Sequence, residues 1–253
     1  MLRTRVIPSL LLKGQGLVKT VKFKDSKYIG DPINAIKIFN DKEVDELVLL
    51  DITATIEKRG PNYKVIEEVA SECFMPLGYG GGIHSLEDAK RILALGVEKI
   101  IINTVAFEKP DFVSQLADNL GNQSVVVSID VKKSLFGKYE VFTRSGSYNT
   151  KQNPLTYAHK MELLGAGEIL LNSIDRDGLM TGYDIQLISR LTGSVRIPVI
   201  ACGGAGSLSH LAEAAKQGGA SALAAGSMFV FHGKHRAVLI SYPERTELEC
   251  YLE

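Results

Sequence analysis

The 253-residue chain has no tryptophan, only three cysteines and no surplus of charge of either sign, with 29 Lys and Arg against 29 Asp and Glu. Each shortage excludes something. A neutral total argues against nucleic acid as the principal partner, because phosphate backbones are held by a local excess of cations. Cys73, Cys202 and Cys250 are odd in number and widely scattered, which argues against a disulfide framework. Long hydrophobic runs are missing as well. Stretches such as Ile100–Ile102 and Ile197–Cys202 are strand-sized, against roughly 20 residues for a bilayer-spanning helix. The opening Met1-Leu2-Arg3-Thr4-Arg5 passes into Val6–Ser9 with no h-region or small-residue cleavage site. No Pro/Gly/Ser-rich linker divides the chain. The expectation is a cytoplasmic protein without a membrane or nucleic-acid partner.

With 45% apolar and 23% charged residues, the composition is that of an ordinary globular domain, and its length suits one α/β barrel of about 250 residues. Short β-branched runs near 5–11, 46–51, 76–80, 99–103, 124–130, 168–173, 198–202 and 222–226 alternate with segments of helical spacing such as Ser85–Leu95 and Leu208–Gln217. Ser85 with Asp88 three residues on marks a helix start, and Gly96 marks the exit. Strands separated by crossovers imply parallel pairing. The longer polar stretches at 12–34, 53–64 and 132–156 follow strands 1, 2 and 5, where a barrel places functional loops.

The chain also resembles itself. Pro76 and Pro198, Gly81 and Gly203, Gly82 and Gly204, Ser85 and Ser207, Gly96 and Gly218, Phe107 and Phe229 all stand 122 positions apart. The same offset lays Glu46-Leu-Val-Leu-Leu-Asp-Ile on Glu168-Ile-Leu-Leu-Asn-Ser-Ile. This spacing predicts a single (βα)8 TIM barrel made of two duplicated half-barrels, about 1–122 and 123–253.

Strand 3 ends in Gly80-Gly81-Gly82 and strand 7 in Cys202-Gly203-Gly204, each before a capped helix. Glycines let backbone N–H groups approach an anion closely, and the helix start adds a favourable dipole. Strands 4 and 8 finish in Asn103-Thr104 and Gly226-Ser227, adding donors. One anion site per half, on opposite sides of the mouth, suits a long ligand with a phosphate at each end.

Through Gly30-Asp31-Pro32, Asp45-Glu46-Leu-Val-Leu-Leu-Asp51-Ile-Thr53, Gly80-Gly81-Gly82-Ile83, Asp175-Arg176-Asp177-Gly178 and Gly203-Gly204-Ala205-Gly206-Ser207, the chain resembles the cyclase-subunit family of imidazole glycerol phosphate synthase nearly end to end. The resemblance implies a barrel that docks a glutaminase at its N-terminal face as a heterodimer and receives ammonia through its core. No cofactor or metal is implied. Ammonia would react at the mouth with a bis-phosphorylated substrate, with carboxylates on strands 1 and 5 as acid and base. Asp130 supplies the strand 5 member, and Lys19, Asp51, Asp177 and Gly178 match positions around the substrate. Arg5, Glu46, Lys99 and Glu168 match, in sign, a ring of charges that gates the N-terminal end.

One position departs from the pattern. A shift of 119 lays strand 1 on strand 5 and sets Leu11 on Asp130, and residues 5–24 contain no acid. Leucine exchanges no proton, so a step relying on that group loses about 10²–10⁴-fold, unless another carboxylate such as Asp51 or Asp177 takes its place. Three readings follow. The chain is a working cyclase; or it belongs to a diverged branch that passes ammonia to a third, amidotransferring protein acting on surface-polysaccharide sugars; or it is a silent scaffold that binds a phosphorylated metabolite. Elsewhere, Asn172 stands where the family tends to threonine, Cys202 reads as a packing residue, His232-x-x-His235 as an exposed loop, and Ser145-Gly146 with Tyr148-Asn149-Thr150 as a segment closing over ligand.

Overall fold

Eight aliphatic runs become eight parallel strands of one closed barrel. A computed structural model describes residues 3–134 and 137–252. Met1 and Leu2, on which the reading of the chain's opening partly rests, and residue 253, the end of the second expected half, lie outside the described residues. The barrel strands are β1 (Arg5–Lys13), β2 (Leu47–Asp51), β3 (Leu77–Gly80), β4 (Lys99–Ile102), β5 (Val125–Lys133), β6 (Glu168–Ser173), β7 (Val199–Cys202) and β8 (Ala222–Ala225). Each pairs in parallel with its successor, and β8 pairs with β1, so the sheet has no barrel edge. All eight expected strands are present, with ends displaced by at most three residues.

Alternation along the strands builds two cores. Outward-facing Leu10, Leu12, Leu47, Leu49, Val125, Val127, Ile169 and Leu171 pack under the helices. Inward-facing Ile7, Val48, Ile101, Val126, Leu170, Ile200, Ala222 and Ala224 fill the lumen. The helices start where their caps direct. Ser85 accepts from the Asp88 amide while the Asp88 side chain accepts from the Ser85 amide, and helix Leu86–Ala94 follows. Ser207 accepts from His210 N ahead of Leu208–Lys216. Among the described residues, no helix is long and apolar enough to cross a membrane.

The polar stretches after β1 and β5 are not loops throughout, as their composition suggests. Gly16–Val21 and Lys24–Gly30 form an antiparallel hairpin that continues from β1. Tyr139–Thr143 returns antiparallel on the extended end of β5. Lys19, Thr20 and Phe23 of the first ribbon and Arg144 and Ser145 at the turn of the second line the C-terminal mouth.

Candidate active site at the barrel mouth

The N-terminal end is closed by ions. Arg5 Nη1 lies 2.5 Å from Glu46 Oε2, and Arg5 Nη2 pairs with Glu168. Lys99 Nζ lies 2.9 Å from Glu46 and 2.8 Å from Glu168. Each carboxylate meets both cations, so the ring carries alternating charge and leaves no buried ion alone. Register explains the meeting: Arg5 and Lys99 begin β1 and β4, Glu46 directly precedes β2, and Glu168 begins β6. Above the ring lies the apolar lumen.

At the other end a cavity of about 610 Å³ opens at the mouth. Leu11, Lys19, Asp51, Gly81, Gly82, Asn103, Thr104, Asp130, Asp177, Gly178, Gly203, Gly204, Gly226 and Ser227 all line it. Leu11 therefore points into the mouth with Asp130, not away from it. The glycines are required where they stand. Gly81 has φ +120°, and a Cβ there would fall 2.4 Å from the Asp51 carbonyl oxygen. Gly203, at φ +90°, would place one 2.7 Å from the Ser173 oxygen. No other residue fits either turn.

Asp130 is 7% exposed. Asn103 Nδ2 donates to its Oδ2 at 3.3 Å and Ser128 Oγ lies 3.5 Å from its Oδ1. Burial first, and then the negative charge of Asp177, push its carboxyl up to about 7, against the pull of Ser128. Asp177 is raised by burial too, but is better supplied: Thr20 Oγ1 donates at 2.8 Å, Phe23 N at 3.2 Å, and Lys19 adds positive charge. Lys19 donates to the Ser9 carbonyl from beside Gly226, and burial lowers its ammonium to about 8 against Asp177 and Cys202. The Cys202 thiol is pushed to about 12 by burial and then by Asp177, so it is a neutral wall residue.

Asp51 is placed differently from a free ligand-binding carboxylate. Its Oδ1 accepts from Thr53 N, Ala54 N and Arg59 Nη2, and its Oδ2 from Arg59 Nη1 at 2.7 Å. Its acceptors hold the turn after β2, the same turn against which Gly82 packs at Arg59 O. Arg59 escaped the sequence reading, although an arginine eight residues after the strand's terminal aspartate is the available signal. Ser145 reaches across the mouth to donate to the Ile52 carbonyl at 2.8 Å, and Gly146 lies against Phe23. Tyr148, Asn149 and Thr150 instead pair along the ribbon, Asn149 with Glu140 and Thr150 with Val141, and do not line the cavity. Asn172 Oδ1 lies buried beside Gly203 with no donor among the described residues. His232 and His235 are exposed on a terminal hairpin.

Comparison with known proteins adds to this geometry. A family model described as histidine biosynthesis protein matches residues 5–236. A Pseudomonas aeruginosa protein provisionally named imidazole glycerol phosphate synthase subunit hisF2 is 57% identical over 249 residues, covering 98% of this chain and 99% of that one. A Vibrio vulnificus protein provisionally named subunit hisF3 is 51% identical over 254 residues, covering 100% and 98%. A Leptospira interrogans protein, provisionally named subunit HisF, is 51% identical over 251 residues, covering 99% of each.

Proposed function

The chain belongs to the histidine biosynthesis protein family, among the imidazole glycerol phosphate synthase subunits, and on that premise we propose that it works with a glutaminase and conducts ammonia through its barrel. The glutaminase docks at the N-terminal face, the ring of Arg5, Glu46, Lys99 and Glu168 gates the lumen, and ammonia emerges at the mouth. There the two glycine cradles, at Gly81-Gly82 with Asn103-Thr104 and at Gly203-Gly204 with Gly226-Ser227, hold a ligand with a phosphate at each end. Lys19 supplies the cation, and Asp51 acts as a positioning residue through Arg59. Residues 1–122 and 123–253 are two copies of one half-barrel, and the place of action is the cytoplasm.

The finer assignment is to a diverged branch, in which the ammonia serves amidation of a surface-polysaccharide sugar by a third protein rather than imidazole formation. Leu11 carries this reading: an aliphatic side chain lines the cavity opposite Asp130, where cyclisation by acid and base needs a second proton carrier. The test supplies ammonia directly with the bis-phosphorylated formimino-carboxamide substrate. The expected result is no imidazole glycerol phosphate, with product appearing in Leu11→Asp. Turnover of the unaltered chain on the order of 1 s⁻¹ or more would overturn it. A second reading, the working cyclase, is favoured by Asp177, which brings another carboxylate to the cavity.

A further inference from the structure

Leu11 removes a carboxylate from strand 1, yet four carboxylates line the mouth, of which Asp51 is paired with Arg59 and Glu108 with Arg144, leaving Asp130 and Asp177. Asp130 projects inward from β5, and Asp177 enters from the turn after β6, held by Thr20 and by the amide of Phe23 at the hairpin tip. Their surroundings differ in kind. Asp130 has one long bond from Asn103 and one from Ser128. Asp177 has a hydroxyl, an amide and the nearby Lys19. Two nearby buried carboxylates do not readily both ionise, and the one with more donors keeps the charge. Where one of two such carboxylates has the fuller set of donors, it suits the base and its neighbour the acid.

We infer that Asp130 and Asp177 are the proton-exchanging pair of this mouth, Asp130 as acid and Asp177 as base, acting on a phosphorylated carbonyl compound held between the cradles. The inference rests on the second reading above, the working cyclase, in which ammonia and the bis-phosphorylated ligand meet here. The step balances. The ammonia nitrogen bonds to the carbonyl carbon, the C=O double bond opens, Asp130 gives its proton to the oxygen, and Asp177 takes one from the nitrogen. The product is a carbinolamine, and the pair is left with its proton exchanged between partners, to be restored through solvent. Around Asp130 stand Ser128 on its own strand, Asn103 after β4, Asn172 on β6, Cys202 on β7 and Asp177, with Leu11, Lys19 and the Arg59-paired Asp51 lining the same cavity. Of these carboxylates, Asp51 is held by Arg59, which leaves Asp177 as the base.

The experiment compares the full chain with Asp130→Asn, Asp177→Asn and the double variant in ammonia-driven turnover across pH. Each single change should lower turnover by about 10²–10⁴-fold, with the double no worse than either, because paired residues act as a unit. Asp177→Asn keeps an acceptor for Thr20 and Phe23. Thr20→Val removes one donor from Asp177 and should move the acidic limb of the pH profile upward, as the base becomes easier to protonate. Asp177→Asn within threefold of the unaltered chain, with the same profile, would overturn the pair. If the unaltered chain turns nothing over, the reading of the ligand fails separately, and carbon-13 titration of the Asp130 carboxyl decides the pair. An apparent pKa that falls in Asp177→Asn upholds it, and one that does not move overturns it.

Discussion

At the N-terminal end, Glu46 and Glu168, 122 positions apart, each meet both Arg5 and Lys99. At the mouth the same offset sets Leu50 against Asn172 and Gly80 against Cys202, and the shift of 119 sets Leu11 against Asp130. At these matched positions the first half turns Leu11, Leu50 and Gly80 to the cavity, and the second half turns Asp130, Asn172 and Cys202 to it. The difference follows from burial. A ring of four ions that neutralise one another tolerates no single change, since a lone buried charge costs more than the pair gains. Leu11 and Leu50 have no such partner to satisfy, so these first-half positions can be apolar while their second-half counterparts stay polar. The bare glycine turns belong with the ring, because backbone contacts fix them in both halves.

The largest expected effect tests the likeness at the closed end. Glu46→Gln and Glu168→Gln should each cost about 3 kcal/mol, equally, read as the urea midpoint at unchanged slope. Unequal losses would show that the two acids are not equivalent. Next come the cradles. Gly81→Ala and Gly203→Ala each force a side chain into a left-handed turn against a carbonyl oxygen, and should lose about 1–3 kcal/mol each. Inorganic phosphate should then protect the altered half less than the intact one in thermal unfolding. If it protects both equally, the anion sites lie elsewhere.

The barrel was legible because strand interiors face either helix or lumen, so their apolar runs and the 122-residue offset follow from burial alone. The tight glycine turns after β3 and β7 were legible for the same backbone reason. The hairpin 16–30 was not. Its outer strand Lys24–Gly30 is nearly all exposed and shows no alternation, and its turn at Lys22 and Phe23 takes positive φ of 52° and 62° without the Asn or Gly that announces such turns. The Arg59 clamp on Asp51 and the hold of Thr20 on Asp177 join residues through turns whose shape no local pattern specifies. Composition could place Asp177 near the mouth only as one option. The path of the hairpin, which sets Phe23 N and Thr20 on that carboxylate, decides its charge.

The smallest effect separates the two walls by pH. Asp130 titrates near 7 in the folded chain against an ordinary value of 3.8, so between those values the folded state holds a proton the unfolded state has lost. Folding then weakens as pH rises from about 4 to 7 and stays weakened above. Asn at 130 has no proton to lose. Asp130→Asn should therefore stabilise the protein by about 1–2 kcal/mol at pH 8, roughly 2–8 °C in Tm, with the gain vanishing near pH 4. Leu11→Asp should do the opposite at the facing wall, losing stability most at high pH as a second buried carboxylate is made to ionise. A gain for Asp130→Asn that persists unchanged at pH 4 would trace to packing rather than charge, and the contrast between an apolar and a titrating wall would lose its physical basis.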